Sequence, residues 1–104
     1  MNEIEVEIIE LAKEISRSKI HMSGSTKLYQ DLGIAGDDMS ELLMALQKKF
    51  GTSFQEMSFE KYYPNDLDAF IDHILRKVGL GSKWPPVTIG HLAQVVKSGS
   101  WFDP

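Results

Sequence analysis

The groups that could perform acid–base or metal chemistry in this 104-residue chain are three histidines and an acidic loop. His21, His73 and His91 are scattered along the chain, and no two of them have the i, i+4 spacing with which one helix face presents a zinc site. His73 or His91 could serve as the base of a catalytic pair, but no nucleophile motif such as Gly-x-Ser-x-Gly accompanies them. A small enzyme or metal protein using His73 or His91 is therefore kept as an alternative, and an ordinary surface or partly buried role is favoured.

The acidic loop at residues 31–38 could in principle hold a hard cation through carboxylate oxygens. It contains Asp31, Asp37 and Asp38, but it lacks the twelve-residue ligand pattern of an EF-hand and the glutamate that ends it. Structural roles explain these residues better, because Asp37 or Asp38 can cap a following helix and Asp31 can hold the loop in place. We expect no metal site and no cofactor.

The composition excludes other kinds of chemistry. No cysteine is present, so the chain has no disulfide, thiol nucleophile or cysteine metal site. Eleven basic and 15 acidic residues give a net charge of −4 without a basic cluster, which disfavours nucleic acid and anionic membranes as partners. The first residues have no signal-peptide pattern, and no apolar run is long enough to span a bilayer. We expect a single cytoplasmic domain over residues 1–104.

The most regular element that could position functional groups is an amphipathic helix in the middle of the chain. Its apolar positions follow the series i, i+3, i+4, i+7 and i+11 and form one face, namely Met39, Leu42, Leu43, Leu46 and Phe50. Asp37 and Asp38 stand where an N-cap and a first-turn anion belong, and Gly51 follows as the residue that ends the helix. This is the second helix in chain order.

Three further helices are predicted around it. The first has apolar residues at helical spacing, namely Ile4, Ile8, Leu11 and Ile15. The third has a predicted buried stripe made of Leu67, Phe70, Ile71, Ile74 and Val78. The fourth begins after Thr88 as N-cap and ends at Gly99. In the long first loop, Leu28, Tyr29 and Leu32 are expected to pack onto the core. The predicted fold is all-α, a small four-helix bundle with a long first loop.

The second helix also has a polar side with one apolar residue in it. On a wheel of about 100° per residue, the side opposite the apolar stripe carries Asp37, Glu41, Met44 and Lys48. A flexible methionine between charged side chains is typical of an adaptable docking surface. A solvated face with one stray apolar residue is the other interpretation. We predict that these four residues bind a protein partner.

The sequence around the second helix resembles that of the acyl carrier proteins. Residues 31–33 are the Asp-Leu-Gly of that family, and residues 41–51, ELLMALQKKFG, are similar to its Glu-Leu-Val-Met-Ala-Leu-Glu-Glu-Glu-Phe helix. In carrier proteins the serine of an Asp-Ser-Leu motif bears the 4′-phosphopantetheine arm, and the matching position here is Gly36, between Ala35 and Asp37. Glycine has no hydroxyl, so the resemblance implies a carrier-like fold without the arm.

Ser40 is the only hydroxyl early in the second helix and could be a displaced attachment site. It lies one turn inside the helix, and it lacks the preceding Asp and the following Leu of the carrier motif. We favour the interpretation that Ser40 lies on the flank of the helix and that its hydroxyl bonds to its own backbone. A genuine acyl or peptidyl carrier modified at Ser40 is nevertheless kept as an alternative function.

A closer resemblance is to the DUF1493 family, a bacterial group of short carrier-like proteins. The shared features are an Asp-Leu-Gly-Ile-x-Gly-Asp-Asp turn at residues 31–38, a Pro-x-Thr-x-Gly-x-Leu helix at 86–92 and a Gly-x-Trp at 99–101. This resemblance covers nearly the whole chain, and it implies a fold rather than an activity. We expect a non-catalytic domain that binds an as yet unidentified protein through its second helix.

Overall fold

The computed structural model describes residues 2–62, 71, 72, 74, 77, 79 and 84–104, apart from the side chains of Phe59 and Glu60. Within these residues the chain forms helices α1 (Glu3–Ser16), α2 (Gly36–Phe50), α3 (Phe59–Tyr62) and α4 (Ile89–Ser98). The β-pairing seen there consists of isolated bridges, Lys27 to Thr88 and Ser53 to Ser100. The predicted all-α class is therefore confirmed. No helix of the described part is long and apolar enough to cross a membrane.

Most helix ends follow the capping signals of the sequence. The Asn2 side chain accepts a hydrogen bond from the Glu5 amide at the start of α1, at 2.8 Å. Thr88 caps α4, as predicted, and its hydroxyl oxygen lies 3.0 Å from a first-turn amide. Gly51 and Gly99 end α2 and α4 with φ of +70° and +94°, which confirms their predicted role in closing these helices.

The start of α2 differs from the prediction. Its N-cap is Ala35, which makes no side-chain capping bond, so the expected capping by Asp37 or Asp38 is wrong. Both aspartates instead lie in the first turn, where a negative charge interacts favourably with the positive end of the helix dipole. The helix therefore begins at Gly36, two residues earlier than it would with Asp37 as its N-cap.

The core forms where α1 packs against both α2 and α4. Its fully buried apolar side chains come from all three helices and include Ile8, Leu42, Leu46, Leu92 and Val95. The predicted α2 stripe is buried except at its last residue, Phe50, which is partly buried against the core. Of the predicted α1 stripe, Ile8 is buried, whereas Ile4, Leu11 and Ile15 are partly buried. Each fully buried apolar side chain of this core stabilises the fold by about 1.5–3 kcal/mol.

The loop between α1 and α2 is held onto this core as expected. Leu28 and Tyr29 are buried, and Leu32 is partly buried against the core. The Asp31 carboxylate accepts a hydrogen bond from the Lys27 amide at 2.8 Å, which confirms that Asp31 holds its own turn. Asp31 therefore has a structural role within the connection between α1 and α2.

The same loop lies very close to the start of α4. The Gly90 amide donates to the Gly24 carbonyl oxygen at 2.8 Å, and a Cβ built on Gly90 would lie 2.9 Å from that oxygen. Beside it, the Ile89 amide donates to the Thr26 carbonyl oxygen at 3.0 Å. Only glycine fits at position 90 without movement of the backbone. This accounts in steric terms for the glycine two residues after Thr88.

The predicted third helix falls largely outside the described residues, and Leu67, Phe70 and Val78 of its stripe are among those not described. The backbone at residues 71, 72, 74 and 77 is helical. Ile71 and Ile74 are 46% and 45% exposed, so their predicted burial is wrong. Asp72 is buried instead, and its carboxylate accepts a hydrogen bond from the Tyr29 hydroxyl at 2.7 Å.

Candidate functional site

The candidate site is the side of α2 that points away from the core. Asp37, Glu41, Met44 and Lys48 are all exposed there, and we call these four residues the α2 face. Met44 is 68% exposed, more than any other large apolar side chain of the described residues. The structure thus brings the four predicted partner-binding residues together on one open surface.

The position of the α2 face follows from the buried stripe on the other side of the helix. Leu42 and Leu46 have no exposed surface, and with 3.6 residues per turn this places Glu41, Met44 and Lys48 on the solvent side. The face is about 16 Å long, counted from Asp37 to Lys48 at 1.5 Å per residue. Its acidic residues lie toward the N-terminus of α2 and its lysine toward the C-terminus, so the face has opposite charges at its two ends.

The centre of the α2 face has both a raised and a hollow part. Met44 projects into solvent, and a shallow depression beside it is lined by Met44, Ala45, Gln47 and Lys48. A flexible thioether next to an open hollow can adapt to the shape of an opposing surface. The arrangement suits contact with a macromolecule better than enclosure of a small molecule, which requires a deeper pocket.

The two lysines at the end of α2 have different roles. Lys49 forms an ion pair with Glu7 of α1, with 2.5 Å between Nζ and Oε2, and this pair links the two helices. Lys48, Asp37 and Glu41 take part in none of the ion pairs found among the described residues. The charges of the α2 face are therefore available to a partner, whereas the charge of Lys49 is used within the fold.

Gly36 has a backbone conformation that disfavours a serine. Its φ is +54°, in the left-handed region, where an L-residue is strained by about 1–2 kcal/mol. The position that the carrier resemblance matches to the attachment serine thus lacks a hydroxyl and also has a backbone suited to glycine. Ser40, the alternative attachment residue, is exposed in the interior of α2.

His91 is used to hold the C-terminal tail. Its Nε2 lies 2.8 Å from the backbone carbonyl oxygen of Phe102, so this nitrogen donates a hydrogen bond. Its ring packs edge-on against Trp101 and Phe102, with centroid distances of 5.2 and 4.8 Å. His21 is exposed, and His73 lies outside the described residues. No group of three histidines or carboxylates suited to a metal ion occurs in the described part of the chain.

A second cluster fastens the same tail at Asp103. The Tyr62 hydroxyl donates to Asp103 Oδ1 at 2.5 Å, and the Trp101 indole N–H lies 3.3 Å from the same oxygen. The Tyr62 hydrogen bond is the main cause of a lowered pKa for Asp103. Burial, and after it the bond to Asp103, raises the pKa of Tyr62 to about 12. Tyr62 and Asp103 are 41 positions apart, so no local pattern could have paired them.

The comparison with protein families identifies a family to which this chain is similar. The family model described as "Protein of unknown function (DUF1493)" matches residues 1–103, which include all four helices described above. The comparisons with curated proteins and with solved structures each found no match. The match therefore relates this chain to a family without bringing an activity with it.

Proposed function

We propose, from the premise that the chain belongs to the DUF1493 family, that this protein is a non-catalytic interaction module whose α2 face binds a protein partner. The observation that carries the proposal is the 68% exposure of Met44 between the exposed charges of Glu41 and Lys48. Full burial of such a side chain is worth about 1.5–3 kcal/mol, so a partner that covers Met44 gains binding free energy. The charges around it then select the partner and its orientation.

We further propose that the module is an acyl-carrier-like four-helix bundle, bacterial and cytoplasmic, that bears no phosphopantetheine arm. The carrier resemblance over residues 31–51 supports this description. The absent arm is supported by Gly36, which offers no oxygen for a phosphodiester and adopts a φ of +54°. In this proposal the protein keeps the docking helix of a carrier without the chemistry that the docking helix serves.

Site-specific photo-crosslinking tests the docking role. A benzoylphenylalanine in place of Met44 is expected to form a discrete protein adduct in cells, and the same group in place of Gln94, exposed on α4, is the matched control. Once the adduct is identified, its binding is measured with purified proteins. We expect Met44→Lys combined with Glu41→Lys to weaken that binding by about tenfold or more. Equal binding by wild type and the double variant would overturn the proposal.

Intact mass spectrometry distinguishes the proposal from a carrier modified at Ser40. The protein is coexpressed with a promiscuous phosphopantetheinyl transferase, and an unchanged mass is expected. A mass gain of one phosphopantetheine that disappears in Ser40→Ala would favour the carrier function. A gain that survives Ser40→Ala would also contradict the proposal and would place the attachment on another residue.

A further inference from the structure

We infer that the partner of the α2 face is a second copy of this chain, docked antiparallel about a two-fold axis that passes between Met44 and Ala45. This inference rests on the proposed function and adds the identity of the partner. The order of the exposed charges along α2 and the raised and hollow parts at the centre of the face favour such a partner.

Two charges of the α2 face, those of Glu41 and Lys48, complement each other when the helix is reversed. The midpoint between Glu41 and Lys48 falls between Met44 and Ala45, so each charge lies about 5 Å from the axis along the helix. An antiparallel second copy therefore places Glu41 of each chain opposite Lys48 of the other. A two-fold interface makes every contact twice, which gives two such ion pairs. A parallel copy would instead place Glu41 against Glu41, and like charges repel.

The apolar contact falls on the same axis. Met44 projects from the face, and the depression next to it is lined by Ala45, Gln47 and Lys48. In the antiparallel arrangement the methionine of each copy enters the depression of the other. The result is an apolar centre flanked by charged pairs, which is the usual organisation of a protein interface.

The expected association is weak. The contact consists of two methionines and two exposed ion pairs, which is at the small end of specific interfaces. We expect a dissociation constant on the order of 10⁻⁴ M. Because the pairing charges are exposed, salt is expected to weaken the dimer.

A charge swap tests the inference by sedimentation equilibrium at up to about 1 mM protein, with far-UV circular dichroism as the check of folding. Lys48→Glu is expected to raise the dissociation constant about tenfold, since it replaces both ion pairs with repulsive contacts. The double variant Glu41→Lys with Lys48→Glu is expected to dimerise again, but not to pair with wild type. Lys97→Glu, an equal charge change at an exposed position of α4, is expected to leave the dimer unchanged.

Two results would overturn the inference. One is a wild-type chain that stays monomeric at the highest concentration, and the other is a dimer that Lys48→Glu does not weaken. The swap also separates this inference from the proposed function. A foreign protein keeps its own charges, so its binding to the swapped variant would be lost. A second copy carries the same swap, so dimerisation of the swapped variant would be regained. If position 44 crosslinks to a foreign protein and the purified chain forms no dimer, the inference is refuted and the docking role of the α2 face remains supported.

Discussion

Replacement of Gly36 tests whether the start of α2 depends on a left-handed backbone. Gly36 is the first residue of the helix and has a φ of +54°. Gly36→Ser adds the hydroxyl that a carrier protein would need, and Gly36→Ala adds the Cβ alone. Gly36→Asn is the matched control, because asparagine enters the left-handed region more readily than other residues with a side chain.

The expected loss of stability is the difference between two terms. An L-residue in the left-handed region is strained by about 1–2 kcal/mol. Replacing glycine also restricts the unfolded chain, which recovers about 0.4–1 kcal/mol. We therefore expect Gly36→Ser and Gly36→Ala each to lower the free energy of unfolding by about 1 kcal/mol, and Gly36→Asn to lower it by about half as much or less. In a domain of this size, 1 kcal/mol corresponds to roughly 5 °C in Tm.

Urea unfolding followed by tryptophan fluorescence measures this effect, since Trp101 is buried in the folded protein and becomes exposed on unfolding. Native far-UV circular dichroism should be unchanged, because α2 is held by its buried stripe. Gly36→Ser as stable as wild type would refute backbone strain at this position. A loss of stability in Gly36→Asn as large as that in Gly36→Ala would also refute it, since the cause would then be something other than backbone strain.

Three further changes test how the elements are held together. Gly90→Ala is expected to cost about 1–3 kcal/mol in urea unfolding, because its Cβ would stand 2.9 Å from the backbone oxygen of Gly24; unchanged stability would contradict that close approach. Thr88→Ala is expected to cost about 1 kcal/mol in the same assay, because α4 loses its capping oxygen, and Thr88→Ser should retain most of the stability. The pKa of Asp103 is lowered in the folded protein, chiefly by the Tyr62 hydrogen bond. Its contribution to the stability of the fold is therefore present above the ordinary carboxyl pKa, and it is lost as the pH falls through the lowered pKa of the folded protein. Thermal unfolding of Asp103→Asn between about pH 6 and pH 2 should therefore show a shallower loss of Tm than wild type, and an identical slope would refute this role.

The helices were predictable wherever the signal is local. Each of these signals lies within a single helix and its flanking residues. They are the apolar period of α2, its end at Gly51, and the caps of α4 at Thr88 and Gly99, and the structure confirms each of them. The start of α2 was predicted wrongly, because an aspartate can act as a cap or as a first-turn charge with the same local sequence. In the structure Ala35 is the N-cap, and both aspartates lie in the first turn.

Burial in the segment near residue 72 was not predictable, because it depends on a contact over 43 positions. Local hydrophobicity favours Ile71 and Ile74 as buried residues and Asp72 as an exposed one. The structure reverses this, since Ile71 and Ile74 are exposed and Asp72 is buried, with its carboxylate accepting a hydrogen bond from the Tyr29 hydroxyl. A buried carboxylate is tolerated only where such a partner exists, and the sequence alone does not show which residue supplies it.

The sequence by itself determined which residues share the α2 face, because a helical period fixes the relative directions of Asp37, Glu41, Met44 and Lys48 once the buried stripe is known. It also determined that Gly36 offers no hydroxyl. Only the tertiary structure decided that the face is uncovered, that Lys49 is already paired with Glu7, and that Gly36 has a left-handed backbone. These properties depend on what the loops and the other helices cover, and on contacts between residues far apart in the chain, which no local period encodes.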